Sequence, residues 1–386
     1  MARLPLHLGA PLLVWLAACS CQPENNLGNV QPDDPNGLMT HDIGQYLSMT
    51  LNDEGQPVIS FYDRDKGALA FGVGEVLGET LDWTLSPVDG YPDDVGLDPG
   101  DRGKYTSVAV DAAGTTWIAY HDATSGVLRV ATCPKGGTAW ELLVGDAGTG
   151  ASPETGKFAS LALDPSDNPV IAHYQSDKQL LRVARFNGTA FTGETVDEGT
   201  GYVAQDTGEQ DIAANVGKYA SLAIADDGTE YIAYYDAAHG DLKLATGTTG
   251  AYTVTTIDAD GDVGAWPDLM INGDELVIAY QDVGNQDLKL ARGSGSTWTL
   301  ELLDDANYVG ADAAVFMNGS YPGVWYFDGH DNNVKLAQQA GSDWSADTWA
   351  GDDAALGYHL ETVTVDATVW VASYDYTNRT IWSDSL

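Results

Sequence analysis

Between residues 217 and 246 the chain reads GKYASLAIADDGTEYIAYYDAAHGDLKLAT, and its apolar and polar positions alternate in short runs. YASLAIAD and EYIAYYD are rich in aromatic and β-branched residues and are separated by Asp226-Asp227-Gly228, the pattern of a β-hairpin. DLKLAT follows a turn at 236–240, and AYTVTTID supplies a fourth run, so the stretch is predicted to be a four-stranded antiparallel meander. The same pattern returns along the chain. Opening glycines stand at Gly44, Gly103, Gly156, Gly217, Gly264, Gly310 and Gly357, at intervals of 59, 53, 61, 47, 46 and 47 residues. Four strands repeated at a period of roughly 40 to 50 residues define propeller blades, whereas solenoids repeat at shorter periods with fewer strands. The expected fold is all-β, a seven-bladed β-propeller over residues 43–386.

Aligned units expose three columns. Second strands end in SFYD, AYHD, AHYQ, AYYD, AYQD, WYFD and ASYD, which sets Asp63, Asp122, Asp236, Asp282, Asp328 and Asp375 in one column, with Gln175 in the third unit. Asp at such a position accepts backbone N–H bonds within its own turn; a ring of carboxylates gathering cations is the functional alternative. Third strands place Arg129, Arg182, Lys243, Lys289 and Lys335 in equivalent positions, and a cation between blades requires a carboxylate from a neighbouring repeat. Directly after the opening glycines come Gln45, Lys104, Lys157, Lys218, Ala265, Ala311 and Tyr358. The lysines therefore cluster in adjacent blades, beside the longest inserts, near the mouth of the central channel. They pair with nearby acids or form an anion or sugar-acid subsite. The insert before Gly217 also carries Tyr202, a further candidate for ligand contact.

Charge narrows the partners. The 386 residues hold 57 acidic and 17 basic side chains, a net charge of −40, which excludes nucleic acid as a partner. Asp outnumbers Glu 44 to 13, as expected of a turn-rich fold, of calcium ligation, or of an acidic surface suited to salt. Asp258, Asp260 and Asp262 in DADGDVG have the alternate-carboxylate spacing of calcium loops, although the position of the EF-hand glutamate is Leu269. No GxSxG, HExxH, paired CxxC or phosphate-binding glycine loop occurs, so no catalytic residue is assigned. His121 and His173 stand where Tyr and Phe stand in other units and are read as aromatic substitutes.

The first residues, MARLPLHLGAPLLVWLAACS, combine Arg3 with an apolar core too short to span a membrane. Leu16-Ala17-Ala18-Cys19 resembles the lipobox of bacterial prolipoproteins. The resemblance implies cleavage of residues 1–18, a diacylglyceryl group on the Cys19 sulfur and, with Ser20 following, sorting to an outer membrane. Residues 19–42 then form a tether, and a segment near 27–31 is the candidate to supply the strand that the last unit lacks. Cys21 and Cys133 are either bonded to each other or free. The turns GSGSTWTLE, GGTAWELL and GSDWSADTW loosely resemble the Asp-box turns of sialidase-type propellers, and the units as a whole resemble secreted bacterial propellers of the G-x-Y-x-S-L-A-x-D type. The leading expectation is a monomeric, lipid-anchored propeller whose acidic face binds a partner protein or glycan, through Lys104, Lys157, Lys218, Asp63, Asp122, Asp236 and Tyr202. The alternative is a calcium-dependent hydrolase of a phosphoester or polysaccharide.

Overall fold

The computed structural model describes residues 37–91, 100–150, 152–201, 213–306, 308–351 and 353–386. Within them, strands at 43–89, 102–146, 157–197, 216–258, 263–304, 309–350 and 358–385 form seven sheets, here blades 1 to 7. Six have four strands in sequential antiparallel order and blade 7 has three, so the fold is the seven-bladed propeller that the repeats specify. The expected closing strand at 27–31 and residues 19–36 of the expected tether lie outside the described residues, as do Cys19, Cys21 and Tyr202; residues 37–42 are not a free tether, since Leu38 is buried in the cluster between blades 7 and 1.

Burial follows position in the blade. The second strands Pro57–Asp63, Thr116–Asp122 and Pro169–Gln175 are buried at every residue, because each is covered on both faces by neighbouring blades. The fourth strands are half-exposed, as in Ala251–Asp258. Each apolar cluster joins two blades: Leu69 and Phe71 pack with Ile118 and Tyr120, and Trp117 and Leu128 with Leu161 and Ile171. The ring closes between blades 7 and 1, where Ile59 and Phe61 share a cluster with Trp370 and Ala372. There the N–H of Ile43 donates to the Arg379 carbonyl at 3.1 Å, and Tyr374 Oη donates to Asp42 at 2.6 Å.

One backbone device repeats in every blade. The opening glycine has positive φ and lies against the third strand of the preceding blade; at Gly264, φ is +96°, and a Cβ would come within 2.5 Å of the Leu242 Cα. The register slips at this point, as between Gln45↔Tyr62 and Ser48↔Ser60, so the first strand enters the sheet through a bulge. The residue two after each glycine, Tyr46, Tyr105, Phe158, Tyr219, Trp266, Asp312 or His359, adopts φ between 47° and 55°. The bulge turns these side chains toward the propeller axis.

Candidate functional site

All the sequence columns meet on one face, where the second-to-third turns and the starts of the first strands emerge; it is called here the upper face. The column aspartates are spent in turns. Asp122 Oδ1 accepts the N–H groups of Thr124 and Ser125 at 3.0 and 3.2 Å, Asp236 Oδ1 those of Ala238 and His239, and Asp63 Oδ1 that of Lys66 at 3.2 Å. Their side chains are buried, which leaves them unsuited to gather solvent cations.

A second set of aspartates, at the ends of the fourth strands, ties each blade to the next. Asp89, Asp197, Asp258 and Asp304 accept the hydroxyls of Tyr120, Tyr234, Tyr280 and Tyr326 at 2.6, 2.6, 2.7 and 2.6 Å. In the third blade His173 replaces that tyrosine and meets Asp146 at 3.2 Å, in agreement with its reading as an aromatic substitute. The third-strand cations follow two solutions. Arg182, Lys289 and Lys335 reach Asp146, Asp258 and Asp304 of the preceding blade at 2.7, 2.5 and 2.5 Å, whereas Arg129 and Lys243 turn to Asp122 and Asp236 of their own blade. Burial alone would raise the Asp146 carboxyl, yet the hydrogen bonds from His173 and Arg182 hold it well below the usual carboxylate range.

Nearer the axis, side chains four residues after each opening glycine staple the inner strands together. Ser48, Ser107, Ser160 and Ser221 accept the N–H groups of Val108, Leu161, Leu222 and Leu269 in the next blade at 3.2, 2.9, 3.0 and 3.0 Å. Asp268 continues the series to Val315 at 2.7 Å, Ala314 interrupts it, and Glu361 completes it onto Met49 of blade 1. Where the first four units hold serine, the ring therefore ends on two carboxyls. Both line the channel, and burial pushes both upward, Glu361 well above its ordinary value with the Asp268 charge adding to the effect. A group raised in the folded state contributes stability below its unfolded pKa and loses it as pH rises through the folded value. Glu361→Gln keeps the acceptor for Met49 and removes the charge. We expect the variant to melt a few degrees above the wild type at pH 8 and level with it at pH 4. Differential scanning fluorimetry at both pH values checks this, and an equal difference at both would refute it.

The channel itself is a cavity of about 400 Å³. Its upper mouth is ringed by the seven bulge residues. Five ring pairs run in series from His359 through Tyr46, Tyr105, Phe158 and Tyr219 to Trp266, with centroid separations between 4.5 and 4.9 Å. Neighbouring rings are tilted by 31 to 60° to one another and are not stacked. Asp312 fills the remaining place. Burial pushes its carboxyl up, opposed by His359, while burial lowers His359.

Outside this collar lie the two halves of the upper rim. On blades 2 to 4, Lys104 pairs with Asp101 at 2.5 Å, and Lys157 meets Ser176 Oγ at 2.9 Å and Glu154 at 3.6 Å. Lys218 is partly buried and has no carboxylate within 4 Å among the described residues. The lysines therefore share a rim, but the channel lining is formed by the residues after them. On blades 6 and 7 the rim is aromatic. Tyr376 and Tyr308 are 58% and 54% exposed, respectively. Tyr376 lies 5.9 Å from Tyr358, which lies 4.5 Å from Phe327. The Tyr308 carbonyl holds the N–H of Gly329 at 2.7 Å beside Phe327. Tyr358 Oη donates to Asn332 at 3.1 Å, while the hydroxyls of Tyr308 and Tyr376 have no partner among the described residues. These tyrosines escaped the column analysis, since Tyr308 and Tyr376 sit in turns with no aromatic equivalent in other units.

The DADGDVG loop is not a gathered ligand set. Asp258 is buried and engaged by Tyr280 and Lys289, Asp262 accepts Tyr235 Oη at 2.6 Å, and Asp260 is exposed. Among the described residues no three His, Cys, Asp or Glu side chains converge as a metal site.

No family model matches the chain, and no curated protein matches its sequence. Solved structures share its architecture. The polysaccharide lyase Uly1 superposes with a TM-score of 0.53 at 10% identity, over 95% of this chain and 94% of the lyase. A mutant Aleuria aurantia lectin in complex with α-methyl-L-fucoside gives 0.48 at 14% identity, over 79% of this chain and 94% of the lectin. The Hadza microbial sialidase Hz136 gives 0.45 at 13% identity, over 89% of this chain and 65% of the sialidase. At these identities the likeness is one of fold, and the chain is a seven-bladed propeller.

Proposed function

We propose that this propeller is a glycan-binding module of the cell envelope, held to the membrane through Cys19, with its ligand site on the aromatic half of the upper rim. The observation that carries the reading is the platform of Tyr308, Phe327, Tyr358 and Tyr376. Tyr308 and Tyr376 leave more than half of their surface to solvent, and their amphipathic rings suit the C–H faces of a pyranose while the free hydroxyls bond its oxygens. A concave, preformed mouth beside them, with Asp312 in the collar, adds acceptors for sugar hydroxyls. Lys104 and Lys157 are already paired, so the balance of charge favours a neutral glycan over an acidic one. The low-identity resemblance to carbohydrate-handling propellers agrees with this reading without carrying it.

Tyr376→Ala removes an exposed ring and leaves the core intact. On a glycan array, the wild type should retain a set of neutral glycans and the variant should lose at least about tenfold in affinity, the equivalent of roughly 1.4 kcal/mol, with an unchanged melting temperature. Retention of the same glycans by the variant would remove the platform from the account. Capture of an envelope protein with no glycan retained would replace glycan by protein as the ligand.

A further inference from the structure

We propose that the central channel binds a linear aliphatic polyamine, whose ammonium groups meet the carboxyls of Asp268, Asp312 and Glu361. The site lies inside the collar and is separate from the tyrosine platform on the rim.

What singles out these three carboxyls is their lack of a cationic side chain. The buried carboxylates between blades carry cations of the chain itself: Arg182 on Asp146, Lys289 on Asp258 and Lys335 on Asp304. Among the described residues no lysine or arginine lines the channel. Asp268 has the Ser221 hydroxyl at 3.3 Å and the Val315 N–H at 2.7 Å, while Glu361 and Asp312 accept the N–H groups of Met49 and His359. Burial lowers His359, so the one basic side chain in the lining is held toward its neutral form. Carboxyls that face a cavity of about 400 Å³ without a countercharge are an uncompensated set, and a ligand bearing ammonium groups compensates them.

The spacing selects an extended ligand over a single ion. No three acidic or metal-ligating side chains converge on one point among the described residues. Asp312 stands two residues after its opening glycine, Asp268 and Glu361 four after theirs. Two residues of an inner strand rise about 6.5 Å, an interval that short methylene spacers between ammonium groups can match. The collar also excludes a sugar. Seven positions separated by 4.5 to 4.9 Å place the ring centroids about 5 Å from the axis, and with van der Waals contact at about 3.5 to 4 Å this admits a methylene chain and not a pyranose. Tyr46, Tyr105, Phe158, Tyr219 and Trp266 attract a passing cation through their rings.

Binding is linked to protons. Besides the three carboxyls, the titratable groups facing the channel are His359 and the phenols of Tyr46, Tyr105 and Tyr219. Burial raises all three carboxyls, and an ammonium beside them favours their ionised form. Uptake of the ligand therefore releases protons, and affinity rises with pH.

The full-length protein is titrated calorimetrically with spermidine at physiological ionic strength, where diffuse attraction to the net charge of −40 is screened. One saturable site is expected, with heats that differ between buffers of unlike ionisation enthalpy and an affinity that falls from pH 8 to pH 5. Glu361→Gln keeps the acceptor for Met49 and Asp268→Asn that for Val315; each should weaken binding at least about tenfold with the circular dichroism spectrum unchanged. Tyr376→Ala should bind spermidine as the wild type does, so the result stands apart from that of the glycan array. Absence of a saturable site, unchanged affinity in either carboxyl variant, or equal occupancy by magnesium, the mark of counterion attraction alone, would overturn the proposal.

Discussion

Gly264→Ala should fail to give a stable propeller. The added Cβ would come within 2.5 Å of the Leu242 Cα and 2.7 Å of its N, both backbone atoms of the preceding blade, in a backbone at φ +96° that L-residues rarely adopt. Neither atom can yield without moving a strand, and backbone strain adds to the overlap. The combined cost is on the order of 4 kcal/mol or more, a large fraction of the stability of an ordinary domain. The check is soluble yield and urea unfolding, with Gly250→Ala as control, because Gly250 also has positive φ but meets nothing within 4 Å. A Gly264→Ala protein no less stable than the Gly250 control would show that blade contact does not depend on this glycine.

Arg182→Ala should cost about 3 kcal/mol, the largest loss expected from any single ion pair here. Arg182 and Asp146 are both nearly inaccessible, at 4% and 7% exposure, and removing the guanidinium leaves a buried carboxylate with only His173 and a turn N–H. Because Asp146 is held below its ordinary value, its contribution is present above the unfolded pKa near 4 and is lost as pH falls. The variant should therefore approach the wild type only in acid, opposite in sign to Glu361→Gln. Lys243→Ala is the comparison, since Asp236 keeps two turn N–H bonds and His239 when Lys243 is removed. Urea titrations at pH 7 that gave equal losses for the two variants would contradict the ranking.

How far the sequence carries can be argued from particular residues. The blade count and the turn role of Asp122 and Asp236 are legible because the column recurs 18 or 19 residues after a glycine that the backbone requires. The pairing of the third-strand cations is legible as chemistry, but the choice between own and preceding blade is not. Lys243 and Lys289 occupy the same position and go different ways, to Asp236 and Asp258. The collar escaped for a geometric reason. Strict alternation from Gly217 places Lys218 and Tyr219 on opposite sides of a strand, whereas the bulge sets Tyr219 at φ 55° and directs it to the axis. Aligning the second residue after each glycine, rather than the first, would have shown Tyr, Tyr, Phe, Tyr, Trp, Asp and His as a column. The tyrosine platform has no such signal, since Tyr308 and Tyr376 become neighbours of Phe327 and Tyr358 only once blades 6 and 7 are side by side.

The binding face is the centre of the account, and hydrogen–deuterium exchange with and without a saturating glycan selected from the array tests it most directly. Protection should concentrate in the turns at 328–332 and 375–379 and in the first-strand start of blade 7, with the turns of the lower face at 52–56 and 111–115 unchanged. Protection confined to the lower face or to the outer strands, with the aromatic rim unaffected, would contradict it.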